Sequence, residues 1–195
     1  MKRVLVVLPN GFEVFEAAAF VDVLGWAGEY GSDRIDVTTA GLSSEVSCTF
    51  GGFRVIPDAQ LSECNVEDFD AVAIPGGFET AGFYEEAFSE PVLGILRAFG
   101  EHEKPVASIC VGALPVAKSG ILEGRRATTY HLSDGHRRKQ LAALGVEVID
   151  ERLVVDGNVI TSTSPATAID VALELVKMLT SSGNAARIRH LMGFE

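Results

Sequence analysis

Short runs of apolar and β-branched residues alternate along this chain with longer stretches in which apolar residues recur at helical spacing. A mostly parallel sheet with helices on both faces gives this alternation, because each strand returns to the same edge through a crossover helix. The pattern therefore predicts an α/β fold. The predicted strands are residues 3–8, 35–41, 71–75, 106–109 and 127–130.

Two predicted crossover helices carry clear apolar faces. The first covers residues 13–27, and the second follows Ser164, whose hydroxyl is expected to cap it, with Pro165 in its first turn. The first face comprises Phe15, Ala19, Val23 and Trp26, and the second comprises Ile169, Ala172, Leu173, Val176 and Leu179. We interpret both faces as core. Shorter helices are expected between Cys110 and Gly120, over residues 136–140, and in the tail after Thr180.

Two segments are predicted to add extended chain to the sheet, the first as an antiparallel hairpin and the second at the rim. Residues 151–163 contain two extended runs around Asp156 and Gly157, a pair that favours a tight hairpin turn. Residues 48–57 form a second extended excursion, which is expected to bend at Gly51 and Gly52. Neither segment interrupts the alternation of strands and helices, so residues 1–195 are interpreted as a single domain.

Composition narrows the classes of partner. With 47% hydrophobic residues among 195, the chain can bury a full core, and a formal charge of −11 opposes binding to nucleic acid or to anionic membranes. The basic run at 136–140 is interpreted as a solvated helix face. The apolar stretch of the N-terminus is too short for a signal peptide or a membrane span, so a cytoplasmic location is expected.

The cysteines and histidines do not predict a disulfide framework or a metal site. Three cysteines, at 48, 64 and 110, include no CxxC pair, and the four histidines are scattered. We therefore expect reduced thiols, no metal and no cofactor.

Cys110 stands where an apolar strand leads directly into small residues and a helix, which is the geometry of a nucleophile elbow. A thiol at a helix N-terminus is expected to have a lowered pKa. The alternative is that Cys110 is a small core residue, since free cysteines are commonly buried and inert. Two neighbouring features bear on this choice, because the carboxyl ends of parallel strands meet at one edge.

Gly76 and Gly77 follow the strand at 71–75 and allow a sharp turn that presents amide hydrogens to an anion. With the amide of Val111, Gly77 could form an oxyanion hole beside Cys110. A Gly-Gly pair taken alone is more often a simple turn.

Glu16 and His131 are the titratable candidates for the same site. Glu16 follows the first strand, and if burial kept it protonated it would donate a hydrogen bond to the Cys110 thiolate. Its alternative role, shared with Glu13, is to complement the helix dipole. His131 follows the strand predicted at 127–130, where it could act as a proton carrier or lie on a surface loop.

Five segments together resemble the ThiJ/PfpI superfamily in order and spacing, from Met1 to about Leu179. They are "LPNGFEVFEA", "AIPGG", "ASICVGA", "RRATTYH" and "DGNVITSTSPATAIDVALELV". The resemblance implies a flavodoxin-like three-layer αβα sandwich that assembles as a dimer or a higher oligomer, and we expect a homodimer. It also implies that Cys110 is the nucleophile, Glu16 the buried acid, and Gly77 and Val111 the oxyanion amides.

The histidine departs from the family pattern. In some branches a histidine directly follows two threonines, whereas here Tyr130 holds that place and His131 comes one residue later. A shift of one residue at a strand end points a side chain to the other face. The peptidase branch places a histidine next to the nucleophile, where this chain has Val111, so a peptidase mechanism lacks its base.

Two functions follow from the resemblance and the residues. One is attack of Cys110 on a small electrophile such as a reactive aldehyde or ketoaldehyde, resembling glyoxalase or deglycase activity, with Glu16 passing protons. The other is a redox-responsive protective protein in which peroxide oxidises Cys110 to sulfenic and then sulfinic acid. Isocyanide hydration is a weaker alternative, since that branch has an aspartate where this chain has Glu16.

Overall fold

The computed structural model describes residues 1–194 and gives the bounds of each element. The strands are β1 (Lys2–Val7), β2 (Ile35–Gly41), β3 (Val46–Ser47), β4 (Arg54–Val55), β5 (Ala59–Gln60), β6 (Ala71–Ile74), β7 (Val106–Ser108), β8 (Arg126–Ala127), β9 (Glu147–Val148), β10 (Leu153–Asp156) and β11 (Val159–Ser162). The helices are α1 (Val14–Tyr30), α2 (Phe83–Ala87), α3 (Glu90–Glu101), α4 (Ala113–Lys118), α5 (His136–Ala143), α6 (Ala168–Leu179) and α7 (Ser182–Leu191).

Seven strands form the central sheet in the order β10-β11-β7-β6-β1-β2-β5. Every neighbouring pair is parallel except β10 and β11, which form an antiparallel hairpin. The hairpin turn lies at Gly157 and Asn158, where Gly157 has a positive φ of 60°, one position later than the predicted pair. The predicted α/β class, with a mostly parallel sheet and a small antiparallel hairpin, is confirmed.

Helices cover both faces of the sheet. The helices α1, α6 and α7 pack together on one face, and α3 packs on β6 and β7 from the other face beside α4. Residues Val4 to Val7 of β1 are consequently fully buried. This flavodoxin-like arrangement brings the carboxyl ends of β1, β6 and β7 to one edge, because the three strands are adjacent and parallel.

The predicted strand at 127–130 is wrong in length and in pairing. The observed strand β8 is Arg126–Ala127, and it pairs with β9 outside the central sheet. The N–H of Thr128 donates to the side chain of Thr161 at 3.0 Å, and the N–H of Arg126 donates to Asp156. These side-chain bonds replace a backbone ladder, so the segment lies beside the hairpin without joining the sheet.

The predicted helices are found at the expected positions, but part of the predicted apolar face of α1 and the cap predicted at Ser164 are wrong. Helix α1 buries Phe20, Val23 and Leu24, whereas Phe15 and Trp26 of the predicted face are 58% and 38% exposed. Ser164 precedes a short 3-10 turn at Pro165–Thr167, and its side chain makes no capping hydrogen bond. Among residues 1–194, no helix combines the length and hydrophobicity needed to cross a membrane.

Candidate active site

A cavity of about 520 Å³ opens at the edge where β1, β6 and β7 end. Glu16, Gly77, Cys110 and Val111 line its inner side, so the structure brings together these four predicted site residues. Tyr130, Leu132, His136 and Arg137, which come from the segment that follows β8, also line the cavity, and we call them its outer side. A wider groove of about 690 Å³ beside α3 contains Cys64 and none of these residues.

Cys110 occupies a strained elbow between β7 and α4. Its φ is +55°, in the left-handed region that residues with a Cβ rarely adopt. The chain can turn there because Gly112 approaches β6 closely: a Cβ on Gly112 would lie 2.8 Å from the carbonyl oxygen of Ile74. The hydroxyl of Thr129 donates to the Cys110 carbonyl at 2.8 Å and holds the elbow in place. Sequence reasoning did not single out this contact.

Glu16 lies in the first turn of α1 and has no solvent exposure. The N–H of Gly76 donates to its Oε2 at 2.6 Å, while its buried Oε1 has no protein partner of ordinary hydrogen-bond geometry among the described residues. Burial raises the pKa of Glu16 to about 8, although the Gly76 N–H lowers it and the charge of Glu13 raises it further. A raised pKa of this size favours the protonated carboxyl group at neutral pH.

The lowered pKa expected for Cys110 is contradicted. Burial raises the pKa of the thiol well above its ordinary value, the negative charge of Glu16 raises it further, and the N–H of Val111 lowers it. The helix-terminus effect is outweighed because Cys110 opens only a 3-10 turn, followed by the six-residue α4. The helix offers few aligned peptide dipoles to the sulfur.

The two buried groups act as one unit, because Glu16 and Cys110 interact directly. Both cannot be ionised at once without placing two negative charges together in a buried site. Because the pKa of Cys110 is raised well above its ordinary value, the pair loses its first proton from Glu16, and the thiol then donates to the carboxylate. Transfer of that proton from the sulfur to Glu16 during attack gives the thiolate nucleophile.

The backbone amides of Gly77 and Val111 belong to residues that line the same cavity as Cys110. The N–H of Val111 donates toward Cys110, and no acceptor for the Gly77 N–H is present in residues 1–194. A Cβ added to Gly76 would come within 3.1 Å of the Val111 nitrogen, which shows how closely the two loops approach. The arrangement suits an oxyanion formed on an atom bonded to the sulfur.

His131 lies outside the lining of the cavity. Tyr130 and Leu132 face the cavity, and successive side chains of an extended segment point to opposite sides. The imidazole Nδ1 of His131 is buried without a hydrogen-bond partner among residues 1–194, and its ring lies close enough to Asp150 to affect the pKa of that carboxylate. The structure therefore does not place His131 in the cavity with the other predicted site residues.

Two residues of the basic run at 136–140 line the cavity, contrary to the interpretation of this run as a solvated face. Arg137 donates to Glu79 at 2.8 Å, and its side chain is only 14% exposed. The Nδ1 of His136 lies 2.7 Å from Asp134. The sequence "SDGHRR" carried a partial signal, because Asp-Gly favours a turn that would change the direction of the chain before the helix.

The parallel sheet, the elbow cysteine and the buried acid define an α/β protein with a candidate nucleophilic site, and comparison with known proteins identifies its family. The model of the DJ-1/PfpI family matches residues 2–178, and the chain belongs to this family. The ThiJ/PfpI resemblance seen in the sequence is thereby confirmed. In the residues that the structure describes, no cluster of three or more His, Cys, Asp or Glu side chains is arranged to hold a metal ion.

Three known proteins illustrate the similarity. The Parkinson disease protein 7 homolog of Danio rerio is 32% identical over 96% of this chain and 95% of its own length. A deglycase of Pyrococcus horikoshii is 36% identical over 66% of this chain and 73% of its own length. The crystal structure of Drosophila melanogaster DJ-1beta superposes with a TM-score of 0.85 and 31% identity, covering 98% of this chain and 97% of that one.

Proposed function

We propose that this protein is a cysteine-dependent enzyme that acts on small reactive carbonyls, with glyoxalase or deglycase activity. One observation carries the proposal: Cys110, Glu16 and the amides of Gly77 and Val111 converge at the inner side of one cavity. The similarity to a deglycase of Pyrococcus horikoshii supports this class of substrate.

The first step is formation of a carbon–sulfur bond. The Cys110 thiolate attacks the aldehyde carbon of a 2-oxoaldehyde such as methylglyoxal, and the carbonyl electrons move to oxygen. The N–H groups of Gly77 and Val111 stabilise the oxyanion, and Glu16 supplies the proton that converts it to a hemithioacetal. A carboxyl group with a pKa of about 8 suits this role, because it can both give and accept a proton near neutral pH.

The hemithioacetal then rearranges internally. One hydrogen moves from the former aldehyde carbon to the neighbouring carbonyl carbon, and a proton moves between the two oxygens. The first carbon is oxidised, the second is reduced, and the product is a lactoyl thioester on Cys110. Water cleaves this thioester to give lactate and the free thiol. These reaction steps need no external oxidant or reductant.

The test is incubation of the wild-type protein and a Cys110→Ser variant with methylglyoxal, followed by measurement of dicarbonyl loss and lactate formation. Cys64→Ser is the matched control, since Cys64 is also a free thiol but lies in the separate groove. We expect lactate from wild type and Cys64→Ser, and none above background from Cys110→Ser. Equal activity in all three proteins would overturn the proposal.

Peroxide sensing by Cys110 is the second candidate function, and the unpartnered Glu16 Oε1 and Gly77 N–H favour it. A thiolate attacks one oxygen of hydrogen peroxide and displaces hydroxide, which takes up a proton to become water, leaving sulfenic acid. A second peroxide oxidises this to sulfinic acid in the same way, and these groups could bind the sulfinic oxygens. If no protein forms lactate while peroxide adds two oxygen atoms to Cys110 alone, the redox function replaces the enzymatic one.

A further inference from the structure

The outer side of the cavity contains a histidine that is oriented by a carboxylate. The Nδ1 of His136 lies 2.7 Å from Oδ1 of Asp134, and the backbone N–H of His136 donates to the same oxygen at 3.1 Å. His136 lines the same cavity as Cys110. Its side chain is 47% exposed, so it has access both to the cavity and to water.

The chemistry of Asp134 fixes which imidazole nitrogen carries the proton. The hydrogen bonds from His136 lower the pKa of Asp134, so this carboxyl group is ionised and can only accept. The Nδ1 of His136 must therefore be the donor, which leaves Nε2 of the neutral ring with a free lone pair. A base whose second nitrogen is held by an acceptor has the arrangement that general-base catalysis uses.

The reaction proposed above needs a base that Glu16 cannot readily supply. Glu16 is fully buried beside the sulfur, whereas hydrolysis requires a water molecule to approach the acyl carbon from the open side. Arg137 also lines the outer side, but a guanidinium group stays protonated and cannot accept a proton. His131, the histidine predicted from the sequence, lies outside the cavity lining.

We propose that His136, held by Asp134, is the general base for hydrolysis of the Cys110 thioester. Its Nε2 takes a proton from water as the water oxygen bonds to the acyl carbon. The carbon–sulfur bond then breaks, lactate leaves, and the proton returns to the thiolate. This inference rests on the proposed function. The base that it assigns, His136, lies five residues after His131, the histidine predicted from the sequence.

The test compares His136→Gln with wild type in methylglyoxal turnover, and measures the mass of acid-quenched protein during the reaction. His102→Gln is the matched control, because His102 is similarly exposed at 41% and lies at the end of α3, paired with Glu67. Asp134→Asn tests the orienting carboxylate. In addition, imidazole is supplied to His136→Ala, where the exposed position leaves room for it.

We expect the kcat of His136→Gln to fall about 100-fold, the range typical of a lost general base, and the KM to fall with it, because slow hydrolysis leaves the enzyme in its acylated form. Lactoyl-Cys110 should accumulate in this variant and not in wild type or His102→Gln. Asp134→Asn should show a smaller loss, and imidazole should restore part of the activity of His136→Ala.

The outcomes separate this inference from the proposed function. If wild type forms lactate and His136→Gln matches its rate, the inference is wrong and the proposed function stands. A slow His136→Gln variant that accumulates no acyl-enzyme also overturns the inference, because the slowed step then comes before thioester hydrolysis. If wild type forms no lactate, both fail.

Discussion

The two sides of the cavity differ in how the chain builds them. The inner side, with Glu16, Gly77, Cys110 and Val111, lies at the tips of adjacent buried strands and is fixed by close backbone contacts. The outer side, from Tyr130 to Arg137, is a loop and the start of a helix outside the central sheet. Core packing therefore positions the inner groups, whereas turns and surface contacts position the outer ones.

This difference separates two kinds of chemistry. A buried wall can hold a carboxylic acid in its neutral form beside a thiol, because two negative charges buried together would have a high free energy. A half-exposed wall can hold a base that takes a proton from a water molecule. Substitutions should therefore affect folding when made in the inner side and leave folding intact when made in the outer side.

The largest effect is expected for Gly77→Ala. A Cβ at this position would lie 2.3 Å from the Gly11 carbonyl oxygen and 2.4 Å from Phe83 Cδ2, so both loops must move. We expect a loss of about 3 kcal/mol or more in the free energy of unfolding, measured by urea denaturation.

Gly51→Ala is the control for this substitution, because a Cβ there meets nothing within 4 Å. Its free energy of unfolding should stay within about 0.5 kcal/mol of wild type. Equal stability of the two variants would show that the inner side tolerates movement, and the contrast between the two sides would disappear.

The smallest effect is expected for His131→Gln. Its side chain lies outside the cavity lining, and its buried Nδ1 has no partner within residues 1–194 that the substitution would leave unpaired. Lactate formation from methylglyoxal should remain within about twofold of wild type, on the scale expected when no proton-transfer group is lost. A loss of lactate formation as large as that of Cys110→Ser would show that His131 takes part in the reaction.

The sequence predicted the inner side because strong local signals coincide there. An apolar run followed by Gly76 and Gly77, and another followed by Cys110, mark strand ends that parallel pairing must bring together. The raised pKa of Cys110 could not be predicted in this way, because it depends on burial and on the distance to Glu16. Both arise only when α1 packs against the strand tips.

The outer side was harder to predict because its position depends on a few loop residues. Thr128 bonds to a side chain of the hairpin, and the strand predicted at 127–130 ends after Ala127. Ser133 and Gly135 then have positive φ values of 67° and 68°, which redirect the chain before α5. The spacing of hydrophobic residues does not predict such turns. From the sequence alone, the run that contains His136 is therefore interpreted as a solvated helix face.

The pH dependence of Cys110 alkylation by iodoacetamide shows whether Glu16 and Cys110 share a proton. The raised pKa of Glu16 means that the pair becomes anionic as pH rises through about 8. The labelling rate of Cys110, followed by peptide mass, should therefore rise with a midpoint near pH 8 in wild type, and this step should be absent in Glu16→Gln. A wild-type rate that reaches its plateau below pH 7, or identical profiles for the two proteins, would contradict the account.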